Sequence, residues 1–178
     1  MEIHSLIIFM MALLNFASFI WAAFKHFIIE DNPSQELKYL SVLLITSQVF
    51  VLIVACFVPP QTTWQFVGGI SLILFSAALF WWCIRTNQRR PLTGAFSQNL
   101  PKHLMQEGPY RLIRHPFYTS YILTYAGVVL ASQLWWGLPG VIVPIILYTF
   151  SSRHEEEKFA RSALSEQYAH YKKHTGRF

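Results

Sequence analysis

The sequence predicts an all-α, polytopic membrane protein with about five transmembrane helices and a cytoplasmic C-terminal helix, and three observations predict it. Charged residues make up 13% of the 178, about half of the roughly 25% usual in a soluble domain. They are absent altogether from residues 3–24, 39–84 and 116–152. All 14 lysines and arginines fall in the segments that five spans set on one side of a membrane.

The elements follow in order. A bilayer is crossed by roughly 20 mostly apolar residues, so 3–24 fits one span. It does not read as a cleaved signal peptide. No basic region precedes it, only Glu2, and it is longer than the usual apolar core of about 7–15 residues. Residues 39–84 are interrupted by "PPQTT" (59–63) and fit two spans. Residues 116–152 are interrupted by "SQLWWGLPG" (132–140). They fit two short spans of about 15 residues, roughly 23 Å each, folded back on each other as a hairpin.

With that count, the connections 25–38 and 85–115 and the tail from 153 lie together and hold every lysine and arginine. The positive-inside rule then puts the N-terminus outside and the C-terminus in the cytoplasm. The net charge of +5 is therefore a topology signal first and an attraction to anionic lipid second; it does not point to nucleic acid. Trp21, Trp64, Trp81, Trp82, Trp135 and Trp136 sit at or near span ends, as interfacial tryptophans do. Cys56 and Cys83 fall near opposite faces of the membrane. A disulfide needs Cα atoms within about 7 Å, so they are expected to be unpaired.

The long connection 85–115 is broken by Pro91, Gly94, Pro101, Gly108 and Pro109, and a short interfacial helix is expected across 97–105. In the tail, Glu157, Ala160, Leu164, Tyr168 and Tyr171 recur at helical spacing and form one stripe. Glu155, at the start of the acidic run, reads as a solvated face.

Chemistry concentrates in "EGPYRLIRHPFY" (107–118). Arg111, Arg114 and His115 stand immediately before Pro116, which suits the first turn of a helix. The hairpin returns the chain to the same face just before the glutamates, so Arg114, His115 and Tyr118 should meet Glu156 and Glu157. Free N–H groups at a helix start, with arginines nearby, suit an anion such as a carboxylate. The glutamates suit hydroxyl or amine donors. A ligand with an amino-acid end, a ribose and a cationic centre, such as S-adenosylmethionine, fits both. No metal is expected, because His and acidic residues do not occur at ligand spacing.

"GPYRLIRHPFY", followed by "EEEKFARSALSEQYAHYKKHTGRF", resembles the isoprenylcysteine carboxyl methyltransferases and the related membrane phospholipid N-methyltransferases. Glu156, Glu157, Tyr168, Tyr171 and Arg177 keep the family register. Ala160, Leu164 and Ser165 depart from its Leu, Phe and Gly, and the upstream Trp-Ser element is missing.

The resemblance implies one membrane methyltransferase domain over 1–178: three apolar spans in 1–84, then a cofactor-binding loop, hairpin and tail helix in 85–178. It implies S-adenosylmethionine as cofactor, with Lys102, His103, Leu104 and Met105 along the adenosyl group. Tyr110, Arg114, His115, Pro116, Phe117 and Tyr118 would surround the methionyl part, and Glu156 and Glu157 would approach from the last span. Arg153 would face a lipidic or prenylated acceptor in the membrane, the catalytic position. The first expectation is carboxyl O-methylation; the alternatives are phospholipid N-methylation and a non-enzymatic transporter or structural subunit. A transporter would want charges inside its spans, and the first three contain none.

Overall fold

The computed structural model describes residues 3–26, 35–57, 63–88, 100–101 and 103–178. Within them the chain forms six α-helices: α1 Ile3–His26, α2 Gln35–Cys56, α3 Thr63–Asn87, α4 Pro116–Ser132, α5 Pro139–Ala160 and α6 Ser165–His174. Among the described residues, four segments are long and apolar enough to cross a membrane: Ile3–Ala23, Tyr39–Cys56, Trp64–Asn87 and Trp135–Ala160. The fifth helix of the bundle, α4, is uncharged but has only 17 residues, about 26 Å at 1.5 Å per residue. The all-α, multi-pass membrane architecture stands, with one short member.

The bundle is apolar outside as well as inside. Leu43, Ile45, Leu74, Phe75, Ile146 and Phe150 are each about half exposed, a surface that water would not tolerate and lipid accepts. Inside, Phe16, Phe19, Phe80, Ile73, Val51, Tyr125 and Val128 are buried together. Lipid supplies no hydrophobic drive between helices, so close packing and buried hydrogen bonds must hold them. Both occur here. Gly69 of α3 and Gly127 of α4 face each other so closely that a Cβ on Gly127 would lie 2.7 Å from Ile73 Cγ1 and 2.8 Å from the Gly69 carbonyl oxygen. One helical turn away is a polar knot. Asn15 Nδ2 donates to the Ile73 carbonyl (3.1 Å) and to Thr124 Oγ1 (3.1 Å). Ser76 Oγ lies 2.7 Å from Thr124 Oγ1 and donates to the Ser120 carbonyl. It ties α1, α3 and α4 together in mid-membrane.

α4 ends where Gln133 takes a left-handed conformation (φ 55°) and its N–H caps Val129 and Leu130. A 3-10 turn at Trp135–Gly137 follows, and Pro139 occupies the first turn of α5. The hairpin is as the sequence predicts, but its second arm is longer. α5 runs 22 residues, because the charged residues after Ser152 leave the lipid without leaving the helix. The stripe counted through the tail is also interrupted. Residues 161–164 form a turn in which Ser162 Oγ donates to the Phe159 carbonyl and accepts from the Leu164 N–H, the competition with helix that short hydroxyl side chains offer. Tyr168 and Tyr171 keep the stripe's inward face on α6; Glu157, before the turn, does not. The interfacial helix expected across 97–105 is not seen at Leu100, Pro101 or 103–105; its other positions lie outside the described residues. Cys56 and Cys83 are free thiols.

Candidate active site at the mouth of the hairpin

The turn before α4 is held from both sides. Gly108 (φ 56°) packs against Thr86 and Trp82 of α3, so a side chain there would be strained and obstructed. Tyr110 is buried; its hydroxyl accepts from Asn87 Nδ2 at the end of α3 (3.0 Å), and its carbonyl accepts from Tyr171 of α6 (2.6 Å). Residues 113–115 then run beside the chain's last residues. Ile113 and Gly176 form an isolated parallel β-bridge; Arg114 N–H donates to the Gly176 carbonyl (2.9 Å) and His115 N–H to the Arg177 carbonyl (3.1 Å). Pro116 then opens α4 in its first turn, as its missing N–H allows.

Across from this turn, α5 presents two adjacent carboxylates with different surroundings. Glu155, 24% exposed, accepts from the Tyr118 hydroxyl at 2.6 Å and lies 3.2 Å from His115 Nδ1. Glu156, 6% exposed, meets Arg114 (3.2 Å), Lys172 (3.0 Å) and Arg177 (3.0 and 3.1 Å). His115 Nε2 lies 3.4 Å from Glu156 Oε1, but out of line for a hydrogen bond. Burial pushes the His115 pKa down, yet the Glu155 hydrogen bond and the negative charges of Glu155 and Glu156 outweigh it, and the net shift is upward from the ordinary 6.5.

A cavity opens between the turn, α5 and α6. It is lined by Pro101, His103, Leu104, Met105, Tyr110, Arg114, His115, Pro116, Phe117, Tyr118, Glu155, Lys158, Phe159, Tyr168 and Tyr171. Its walls are largely aromatic and aliphatic. Phe159 stacks on Tyr168 (centroids 4.7 Å apart, 9° between planes) and His115 on Tyr118 (5.6 Å, 11°). Nine residues singled out in the sequence thus share one cavity: His103, Leu104, Met105, Tyr110, Arg114, His115, Pro116, Phe117 and Tyr118.

Three others stand elsewhere. Glu156 backs the turn without lining the cavity. Glu157 points outward, 63% exposed, 3.9 Å from Arg161 one helical turn on; the break at 161–164 removes the stripe that would have turned it inward. Arg153 is exposed on the outer flank of α5 beside Ile145, Ile146, Thr149 and Phe150, away from the cavity. Lys102 lies outside the described residues. Glu155, read from sequence as solvated, is the α5 carboxylate on the cavity wall. Glu155, Lys158 and Phe159 lie three and four apart, so a helical count begun at Glu155 instead of Glu157 would have found this face. Among the described residues no group of three or more His, Cys, Asp or Glu side chains is disposed to hold a metal ion.

No curated protein matches the chain. The family model described as "Phospholipid methyltransferase" matches residues 64–167, more than half of the chain, from the start of α3 through the cavity's α5 wall into α6. The chain therefore belongs to the phospholipid methyltransferase family and is a membrane methyltransferase.

Proposed function

We propose that the protein transfers a methyl group from S-adenosylmethionine to a lipidic acceptor, and that the cavity at the mouth of the hairpin is where the two meet. The observation that carries this reading is the cavity's composition: aromatic and aliphatic walls, one carboxylate and several cationic side chains, at the start of a helix too short for the bilayer. The donor set suits the cofactor. Phe159 and Tyr168 offer a flat aromatic edge to the adenine, with His103, Leu104 and Met105 in the same lining. Glu155 would take the amino group, and the start of α4, with the charge of Arg114 behind it, the carboxylate. Bound there, the cofactor supplies an electrophilic methyl group on a sulfonium. The chain's own residues orient it, exclude water and hold charge near it. Positioning and desolvation then carry most of the rate enhancement.

The acceptor placed first is the carboxylate of an isoprenylated cysteine. A carboxylate is already ionised at neutral pH and needs cations and not a base. Arg114 and Lys158 supply positive charge on the wall, beside His115, whose pKa the glutamates raise. The second reading, methylation of a phospholipid amine, is favoured by the family's description. The amine must first shed a proton, for which Glu155 is the carboxylate on the wall. In either case, α4 at about 26 Å falls short of a core of about 30 Å, which supports a reacting centre at headgroup depth. The acceptor then keeps its chain in lipid. The one-sided lysines and arginines support a cytoplasmic mouth.

The test is methyl transfer from labelled S-adenosylmethionine by purified protein in lipid, offering farnesylcysteine derivatives and phosphatidylethanolamine in turn. Label in a base-labile ester assigns the carboxyl reading, and label in the phospholipid amine assigns the second. Label in neither, with the cofactor bound, removes both acceptors.

A further inference from the structure

Glu155 and Glu156 are neighbours in sequence, but only Glu155 reaches the cavity. Glu156 is spent. A carboxylate offers about four lone-pair positions, and Glu156 already receives Arg114 Nε (3.3 Å) and Nη2 (3.2 Å), Arg177 Nε (3.0 Å) and Nη2 (3.1 Å), and Lys172 Nζ (3.0 Å). These contacts close a loop. From Glu156 on α5 it passes through the Arg177 side chain to the backbone of 176–177. The Gly176 and Arg177 carbonyls accept from the Arg114 and His115 N–H groups. The Arg114 guanidinium then returns to Glu156 and, through Nη1, also donates to the Thr175 carbonyl. The residues that close this loop from the far end, Lys172 and 175–177, lie beyond the stretch that matches the family.

We infer that Glu156 is a positioning residue, a buried charge that docks segment 175–177 as a splint along the Arg114–His115 turn and so fixes the side chains of Arg114 and His115 on the cavity wall, while Glu155 is the carboxylate that meets what the cavity binds. The second half rests on the methyltransferase reading above; the first does not. Removing one member of a buried charge cluster costs far more than the cluster's net worth, because the remaining charges are left without a counter-ion. Loss of Glu156 leaves Arg114, Lys172 and Arg177 repelling one another. The segment should lift, uncovering the Arg114 and His115 amides, which exchange only when the local structure opens.

Hydrogen exchange of the ligand-free protein in lipid nanodiscs, read by mass spectrometry, tests the splint. Glu156→Gln should speed exchange at 113–115 about tenfold or more, Glu156→Asp should restore most of the protection, and Glu155→Gln should leave it unchanged. Arg177→Lys, which keeps the charge and loses the two-pronged geometry, should fall between, and it carries the test if Glu156→Gln does not fold. Calorimetry with S-adenosylmethionine then separates the roles. Glu155→Gln should weaken binding about tenfold or more with exchange normal, whereas Glu156→Gln should weaken it only together with faster exchange. Weaker binding in Glu156→Gln with protection at 113–115 intact would make Glu156 itself a ligand and overturn the inference; so would equal deprotection by the two glutamine variants. Wild-type protein that binds no S-adenosylmethionine would instead remove the cofactor reading, leaving the exchange data to judge the splint alone.

Discussion

Two polar clusters among the described residues, one in mid-membrane and one at the mouth of the hairpin, are built from different chemistry. The inner knot uses Asn15, Ser76, Ser120 and Thr124, short neutral groups that satisfy one another and the backbone. The outer cluster uses Arg114, His115, Glu155, Glu156, Lys172 and Arg177. An ionised group in hydrocarbon is expensive, so the interior is tied with neutral hydrogen bonds, each worth only about 0.6 kcal/mol on average. At the mouth, water is close enough to keep charges ionised, and burial is deep enough to make them matter. Fold and chemistry are thereby separated along one helix: α4 carries the knot at Thr124, and His115 of the outer cluster caps its start.

The largest expected effect lies on the fold side. Gly127→Val puts a branched side chain where even a Cβ would meet Ile73 and the Gly69 carbonyl. Overpacking costs typically about 1–3 kcal/mol, and here the obstacle includes backbone. The variant should lose a large part of its thermal stability in detergent, or fail to accumulate folded. A melting temperature equal to wild type would show that α3 and α4 do not pack this closely.

On the chemical side, Glu155→Gln should weaken S-adenosylmethionine binding by about 1.4 kcal/mol or more without lowering thermal stability comparably. Glu157→Gln should change neither, since Glu157 makes only an exposed pair with Arg161, and exposed pairs contribute about 0–1 kcal/mol. Equal losses at 155 and 157 would put the cavity on the wrong face of α5.

The two sides also differ in how much the sequence discloses. The spans were legible because they rest on the absence of charge over tens of residues, which no local detail can disguise. The turn at 107–118 was legible because proline, glycine and clustered cations leave few alternatives. Glu155 was not. Its assignment depends on helical phase, and Ser162 resets that phase by drawing its hydroxyl into the backbone at 161–164, so a stripe counted from Glu157 pointed the wrong carboxylate inward. The C-terminal splint was not legible either. It consists of backbone pairing between 113–115 and 176–177, which leaves no side-chain pattern; only Arg177 carried a signal. Arg153, which the resemblance sets toward the acceptor, stands outside the cavity beside Ile145, Ile146 and Phe150 of α5.

A smaller effect returns to the inner knot. Thr124→Val keeps the shape and removes one hydroxyl that serves both Asn15 and Ser76. Interhelical hydrogen bonds in membranes average about 0.6 kcal/mol and reach about 1.7, so a modest loss of thermal stability is expected, with S-adenosylmethionine binding unchanged. A loss as large as that of Gly127→Val would mean that hydrogen bonds, and not close packing, hold α4 in place.

The smallest effect is a slope with pH, and its sign tests whether the outer cluster holds a cation at position 115. Glu155 and Glu156 face the His115 ring from α5, with Tyr118 stacked on one side and Phe178 nearby. Their attraction raises the imidazole pKa above its ordinary 6.5 despite burial. A histidine whose folded-state pKa lies above its unfolded value binds protons more tightly when folded. Its contribution to stability is therefore complete below about pH 6.5, the unfolded value, and is lost as the pH rises through the higher folded-state value. Between those limits wild-type protein should become less stable with increasing pH. His115→Gln, which stays neutral, should be flatter over the same range, and the difference between the two curves isolates this group from the other titrating side chains. Thermal melts of both proteins at matched ionic strength, from pH 6 upward in steps of about half a unit, give the comparison. A wild-type curve that rises where the variant's is flat would mean that His115 is held neutral, and that the two glutamates do not act on it as a pair.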